Sequence, residues 1–257
     1  MADRQPAGIA VPDPAVALDP MPFRARLADV ARFCRRPTPY PMCHSWSWVL
    51  VFAVLVVFAF DYAVDTLVWI FTVFIEEGLG QLAEPIEFEE TFTQELIGSL
   101  LFAPLYEEAV YRGWLSGRVA ALRFALFGFL AEFLFICSNF VGGELSLLLG
   151  LLGLVVLFIG LFIWSARRQF ETEVPEWFTR NFHWFVWGSS LAFGLIHLSN
   201  YEAFYSPLGV LLVLPQAIGG IFLAYTRTRL GLRASMLHHA LYNGVSMLLY
   251  YATIPGF

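Results

Sequence analysis

The chain has 257 residues, of which 58% are hydrophobic and only 14% are charged, and its formal net charge at pH 7 is −6. Soluble domains carry about 25% charged residues, so this composition, with a mean hydropathy of +0.66, excludes an ordinary soluble protein and predicts a polytopic membrane protein. The sequence contains no basic stripe and no recognition motif for nucleic acid, so we expect no nucleic-acid partner.

The first 45 residues are predicted to form a cytoplasmic tail that includes an amphipathic helix. Residues 1–20 are polar and rich in Pro, Ala and Asp, which is typical of a disordered segment. Residues 21–36 contain five arginines, and their apolar side chains share one helical face. These side chains are Phe23, Leu27, Val30 and Cys34. The pattern predicts an interfacial helix on an anionic membrane surface.

Hydropathy and segment length predict about seven transmembrane helices and hence an all-α membrane protein. The predicted spans cover residues 46–75, 95–116, 123–139, 146–166, 183–200, 207–226 and 234–252. We interpret residues 46–94 as the first span with an external acidic loop, and residues 95–252 as the functional core.

Arginine falls on every second connection between the predicted spans. The connection EEGLGQLAEPIEFEETFTQE, which follows the first span, contains acidic residues and no arginine. Because cytoplasmic loops are enriched in basic residues, we expect a cytoplasmic N-terminus and an external C-terminus. All 15 basic residues are arginine, and we expect the membrane to be the inner membrane of a bacterium.

Beyond Glu95 at its first position, the second predicted span carries three charged residues, Glu107, Glu108 and Arg112. Facing lipid, these charges would together cost about 8–10 kcal/mol, so they must face a polar protein interior. Glu108 and Arg112 are four residues apart and can pair, whereas Glu107 points about 100° away and needs a partner on another span. Pro104 is expected to kink this helix.

Two other predicted spans carry polar groups at helical spacing. Phe193 and His197 are four residues apart on the fifth span, and His239 and Asn243 are four residues apart on the seventh. A single histidine on an apolar helix is usually a core residue, but polar groups on three helices indicate one shared cavity. His238 points about 100° away from His239 and is expected at most to support the site.

Three further acidic residues fall inside predicted spans, away from the span ends. Asp61 and Asp65 on the first span are interpreted as structural or interfacial, although they could alternatively join a proton relay. Glu132 on the third span is interpreted as structural.

The candidate residues suit hydrolysis by either of two mechanisms. In one, Glu107, His197 and His239 bind a divalent metal such as zinc, which activates a water. In the other, which needs no cofactor, Glu107 paired with His197 is the general base, and His239 and Asn243 donate hydrogen bonds to the oxyanion. The second is favoured because amides are rare zinc ligands and the sequence lacks HExxH.

These residues resemble the three signature motifs of the CPBP family of CAAX-processing and bacteriocin-processing intramembrane proteases, which includes the type II CAAX prenyl endopeptidases. The motifs are Glu107-Glu108-x-x-x-Arg112, Phe193-x-x-x-His197 and His239-x-x-x-Asn243. The resemblance covers residues 95–250 and implies an intramembrane endopeptidase that cleaves membrane-anchored or membrane-proximal peptides. It implies that Glu107 and His197 activate the water and that His239 and Asn243 stabilise the oxyanion. Glu108, Arg112 and Phe193 would support the site, Arg112 by fixing a carboxylate.

One feature departs from the family pattern. The first and second motifs usually lie on consecutive helices, but here two predicted spans separate them. Residues 123–180 are therefore interpreted as an inserted two-span hairpin, which could gate substrates, bind a membrane-protein partner or merely pack. The substrate class is left open.

Two other functions are alternatives to the protease. A catalytically inactive member could act as a scaffold that binds a membrane partner through the hairpin. A proton-coupled transporter is less favoured, because the polar motifs are not repeated along the chain and many transporters are built from repeats.

Overall fold

A computed structural model describes residues 17–39, 44–86 and 91–253. Most of the segment predicted to be disordered, residues 1–16, lies outside these ranges. Within them the chain forms a bundle of helices and one small antiparallel sheet.

The N-terminal half begins with two helices and a short strand: α1 (Phe23–Arg35), α2 (Trp48–Leu79) and β1 (Ala83–Pro85). Next comes the irregular segment, residues 92–116, in which helix types alternate. It consists of α3 (Phe92–Ile97), a π-helix (Gly98–Phe102), α4 (Ala103–Glu107), a second π-helix (Glu108–Arg112) and a 3₁₀-helix (Gly113–Ser116).

The hairpin follows, and it consists of α5 (Val119–Asn139) and α6 (Gly143–Arg167). The remaining elements are α7 (Glu176–Arg180), α8 (Phe182–Ile196), a 3₁₀-helix (His197–Asn200), β2 (Tyr201–Phe204), a 3₁₀-helix (Pro207–Val213), α9 (Leu214–Arg229) and α10 (Leu232–Ala252).

Helical structure lies over each of the seven predicted spans. Among the described helices, four are long and apolar enough to cross a membrane. They are Trp48–Leu79, Val119–Asn139, Gly143–Arg167 and Pro207–Arg229. The three segments outside this group carry the predicted site residues. The protein is therefore an all-α membrane protein as predicted, while the count of seven crossings stays a prediction.

The small sheet was not predicted from the sequence. β1 and β2 pair antiparallel, with Ala83 opposite Phe204 and Glu84 opposite Ala203. The pairing places the C-termini of α2 and α8 on the same side of the bundle. An even number of crossings must then separate them, and the four predicted spans from the second to the fifth fit this requirement.

At the other end of the bundle, α1 packs against α2 and α9. Asp29 accepts a hydrogen bond from the Tyr225 hydroxyl at 3.0 Å and lies 3.6 Å from Arg229. The Phe33 ring meets the Tyr225 ring edge-on at a centroid distance of 5.5 Å. These contacts attach the N-terminal helix to the protein.

α1 turns one face towards the protein. Its buried residues are Arg26, Val30 and Phe33, whereas Phe23 is 56% exposed. This face packs on α2 and α9, a contact that helical periodicity alone does not reveal. The position of α1 on a membrane surface stays a prediction.

The largest hydrophobic core lies at the same end as α1 and includes Trp114, Phe178 and Tyr225. Gly117 links the irregular segment to α5 and adopts a φ of 71°, which favours glycine. A Cβ atom there would also lie 2.6 Å from the Phe178 ring. This core therefore fixes the C-terminal end of the irregular segment.

The hairpin is held together by close helix packing. A Cβ at Gly153 would lie 2.6 Å from Phe135, and one at Gly160 would lie 2.4 Å from Phe127. Within the described residues α6 packs almost entirely on α5, and α5 in turn packs on the irregular segment. The many exposed apolar side chains of α6 are typical of a helix that faces lipid.

Candidate active site

The candidate site is built on the irregular segment, whose π-helices interrupt the α-helical hydrogen bonding. Such π-turns are frequent at functional sites. The Ala103 N–H donates to the Gly98 carbonyl rather than to that of Ser99. Pro104, the next residue, has no N–H to donate. The Ser99 carbonyl instead accepts a hydrogen bond from Asn243 Nδ2 at 2.8 Å, so α10 is tied to this segment.

Glu108 is fully buried and is surrounded by donors. Arg112 Nη1 lies 3.0 Å from its Oε1, so the four-residue spacing pairs these side chains as predicted. His239 Nδ1 lies 3.1 Å from the same oxygen, and the Ser235 hydroxyl contacts Oε2. Ser235 precedes His239 by one helical turn and was missed by the sequence reasoning. Three partners from two elements thus hold the carboxylate.

Glu107 lies against the other edge of the His239 ring. Its Oε2 is 3.7 Å from Nε2, while Nδ1 faces an oxygen of Glu108. A carboxylate oxygen can only accept, so we assign a proton to Nδ1. Nε2 and Glu107 Oε2 then face each other as two acceptors unless one of them carries a proton. At 3.7 Å the two atoms are too far apart for a direct hydrogen bond.

His197 begins the 3₁₀-helix that follows α8. Its Nδ1 lies 2.7 Å from the Phe193 carbonyl, to which it must donate. Nε2 is therefore left as an acceptor. The Phe193 ring contacts the rings of both histidines, at centroid distances of 4.9 Å to His197 and 5.9 Å to His239. The Arg112 guanidinium lies over the same ring, 3.8 Å from its centroid.

The structure thus brings together residues from all three predicted motifs. Glu107 lies 3.7 Å from His239, one of the two histidines that the metal alternative grouped with it, and its pairing with His197 in the metal-free alternative stays a prediction. The Asn243 side chain contacts this group through the backbone carbonyl of Ser99, and not through the side chain of another motif residue.

Two further residues hold the C-terminal end of the irregular segment. Arg227 Nε donates to the Arg112 carbonyl at 3.1 Å, and its Nη2 donates to the Gly113 carbonyl at 3.2 Å. The Ser189 hydroxyl donates to the Tyr111 carbonyl at 2.6 Å. Sequence reasoning missed both, because Arg227 was counted only as a cytoplasmic arginine and Ser189 follows no motif.

The hairpin also reaches the site. The Tyr106 hydroxyl, next to Glu107, donates to Glu132 Oε2 at 2.5 Å. Glu132 thus has a partner on the turn that carries the candidate base, and the hairpin is linked to the site by a polar contact as well as by packing.

The sequence also allowed a metal held by Glu107, His197 and His239. Over residues 17–39, 44–86 and 91–253, no group of three or more His, Cys, Asp or Glu side chains could hold a metal ion. The side chains as placed do not fit a preformed metal site, and the chemistry below uses only the protein's own groups.

Comparison with known families gives one match. The family model described as type II CAAX prenyl endopeptidase Rce1-like matches residues 89–245, which is more than half of the chain and includes all three motifs. Neither a curated protein nor a solved structure matches the chain. The match confirms the resemblance seen in the sequence. The chain belongs to the Rce1-like family of type II CAAX prenyl endopeptidases, which are CAAX-type proteases of the membrane.

Proposed function

We propose that the chain hydrolyses peptide bonds of a membrane-anchored or membrane-proximal polypeptide, with a water activated by Glu107 and His197. The proposal rests chiefly on one observation, the line of groups Glu107–His239–Glu108 with N···O distances of 3.7 and 3.1 Å. It provides a carboxylate, a histidine of fixed tautomer and a buried counter-charge in one place.

In the first step the Glu107 carboxylate takes a proton from the water, and His197 Nε2 accepts the water's other hydrogen in a hydrogen bond. The water oxygen forms a bond to the carbonyl carbon of the substrate, and the carbonyl π electrons move to its oxygen. General-base catalysis of this kind typically contributes about 10²–10⁴-fold to the rate. In the second step the oxyanion electrons re-form the carbonyl double bond, the C–N bond breaks with its electron pair on nitrogen, and Glu107 returns the proton to the leaving amine, so that the products are an amine and a carboxyl group.

The developing oxyanion is stabilised by His239 and Asn243. At 3.7 Å the contact from His239 Nε2 to Glu107 is longer than a hydrogen bond, so a protonated Nε2 can donate to the oxyanion. Glu108 stabilises that protonated ring through Nδ1. Asn243 uses one amide hydrogen for the Ser99 carbonyl and has a second for the oxyanion.

A cleavage assay tests this function. The purified protein in liposomes is incubated with membrane-anchored peptides, prenylated and unprenylated, and Glu107→Gln and His197→Gln are compared with wild type. Glu144→Gln is the matched control, because this carboxylate is exposed at the start of α6. We expect kcat to fall by roughly 10²–10⁴-fold in Glu107→Gln and to be unchanged in the control.

Cleavage that persists in both site variants would refute the proposal. Absence of cleavage by wild type across the panel would favour a scaffold instead. Activity abolished by a chelator and restored by zinc would replace the metal-free mechanism with a metal-dependent one.

The proposal includes an orientation in the inner membrane of a bacterium, with the N-terminus in the cytoplasm and the C-terminus outside. It is supported by the arginines, since α1 and Arg229 lie together at one end of the bundle. Fusion of alkaline phosphatase to the C-terminus should give an active enzyme, and a fluorescent protein at the same place should stay dark. The reverse result would refute this orientation.

A further inference from the structure

α10 carries two pairs of adjacent polar residues, His238-His239 and Tyr242-Asn243, one helical turn apart. The second member of each pair faces the irregular segment, where His239 meets the two glutamates and Asn243 meets a backbone carbonyl. The first member of each pair faces α2, which contributes nothing to the chemistry proposed above.

Asp61 of α2 makes the first of these contacts. Its Oδ2 lies 3.1 Å from His238 Nε2, and both side chains are buried. This is a short polar contact and not a directed hydrogen bond, because His238 Nε2 has no hydrogen-bond partner within the described residues. On the other edge of the ring, Nδ1 is 3.0 Å from the hydroxyl of Thr226, which donates to the Phe222 carbonyl. The imidazole is therefore held from both edges.

Asp65 makes the second contact, one turn further along α2. It is buried and neighbours Tyr242, and the ring of Tyr62, on the same helix as Asp65, packs 5.4 Å from the Tyr242 ring. Both aspartates also border α9, since a Cβ at Gly219 would lie in ordinary van der Waals contact with them, 3.4 Å from Asp65 Oδ2 and 3.8 Å from Asp61 Oδ1.

Apolar side chains would pack α2 on α10 without the penalty of burying two carboxyl groups in a membrane protein. Polar contacts between specific buried side chains favour one rotation and one register of the helix, which apolar packing alone specifies less strictly. The two contacts have the four-residue spacing of His239 and Asn243, so they fix the same turns of α10 that carry the site residues.

We propose that Asp61 and Asp65 are positioning residues, which act through His238 and Tyr242 to set the rotation and register of α10 and thereby place His239 and Asn243. The inference rests on the proposed function. It also implies that the site depends on a helix outside the matched residues 89–245.

The kinetic test compares Asp61→Leu and Asp65→Leu with wild type. We expect kcat to fall by roughly 10–100-fold in each, because small displacements of catalytic groups are costly, with KM changed less than about twofold. Asp61→Asn keeps an acceptor oxygen and should recover part of the loss. Asp29→Leu is the matched control, since it removes a polar contact between α1 and α9 and leaves α10 untouched.

A second readout reports the register of α10 directly and requires no activity. In a chain whose three native cysteines are replaced by alanine, Leu100→Cys and Gly244→Cys are joined by a short bifunctional thiol reagent. A Cβ at position 244 would lie 3.2 Å from the Leu100 side chain. We expect Asp61→Leu to slow this cross-link at least fivefold. A control pair in the hairpin, Phe135→Cys and Gly153→Cys, should react at an unchanged rate.

Unchanged kcat and unchanged cross-linking in both leucine variants would overturn the proposal even if wild type cleaves its substrate. If wild type cleaves nothing, the proposed function fails, and the cross-linking rates alone decide the positioning role. Where Asp61→Leu yields no folded protein, Asp61→Asn is judged by the same two readouts, and wild-type values in both would overturn the proposal.

Discussion

Substitution of Arg112 by methionine should destabilise the protein more than the loss of one ion pair would suggest. The Arg112 and Glu108 side chains are only 1% and 0% exposed. Breaking a buried pair by removing one partner typically costs about 3–5 kcal/mol, because the other charge stays buried without compensation. Loss of the guanidinium over the Phe193 ring adds about 2 kcal/mol, so Arg112→Met should lower the unfolding free energy by about 5–7 kcal/mol.

The companion substitution Glu108→Gln leaves Arg112 as the uncompensated charge, and should cost about 3–5 kcal/mol. Two of the guanidinium nitrogens, Nε and Nη2, make no hydrogen bond within the described residues, so no nearby group takes over. The double variant contains neither charge. It should therefore be no less stable than Arg112→Met alone, which gives a coupling energy of at least about 3 kcal/mol.

Unfolding in mixed micelles, followed by the fluorescence of the eight tryptophans, measures all four species of this cycle. If the loss of unfolding free energy in the double variant equals the sum of the two single losses to within about 0.5 kcal/mol, the two side chains do not act as a pair. That result would refute the account of Glu108 as an ionised carboxylate compensated by Arg112.

Three further predictions concern the surroundings of the site. Gly220→Ala should lower kcat, because its Cβ would lie 3.1 Å from Arg112 Nη2, whereas Gly188→Ala, with nothing within 4 Å, should keep wild-type kinetics; equal kinetics for both would contradict the close packing. Tyr106→Phe should cost about 1–3 kcal/mol of unfolding free energy by leaving the Glu132 carboxyl without its donor, and a Tyr106→Phe variant that also carries Glu132→Leu should recover most of it; no recovery would argue against the pair. Burial, and secondarily the charge of Asp61, raise the pKa of the Cys34 thiol to about 11, so its thiolate fraction at pH 8 should be roughly 100-fold below that of an ordinary thiol. Maleimide labelling of Cys34 should accordingly be slow at pH 8 and quicken up to pH 11, and fast labelling at pH 8 would contradict that environment.

Spacing along the sequence predicted those contacts of the site that join residues within one helical turn. Glu108 and Arg112 pair because residues four apart share a helix face. Because three charges would be unfavourable in lipid, the sequence predicted that they face the protein interior, and Glu108 and Arg112 are buried there. Helix positions followed from hydropathy, since each apolar stretch is long enough to be recognised alone.

Contacts between distant elements could not be predicted in this way. Ser235 and Arg227 reach the irregular segment from α10 and α9, and neither follows a pattern in its own helix. Glu107 lies 3.7 Å from His239, one of the two histidines expected to face it, whereas its pairing with His197 stays a prediction. β1 and β2 are three and four residues long, too short for a periodic signal.

Pro104 has a consequence for how variants of Asn243 are read. Inside a bilayer a peptide carbonyl without a donor is strongly disfavoured, and the Ser99 carbonyl takes its hydrogen from the amide of Asn243. The asparagine is thus a surrogate for the backbone N–H that the proline lacks, whether or not substrate is bound. Replacing Asn243 therefore removes both the donor for the Ser99 carbonyl and the proposed oxyanion donor. A loss of activity in Asn243→Ala can be assigned to catalysis only when the stability of the variant is measured as well.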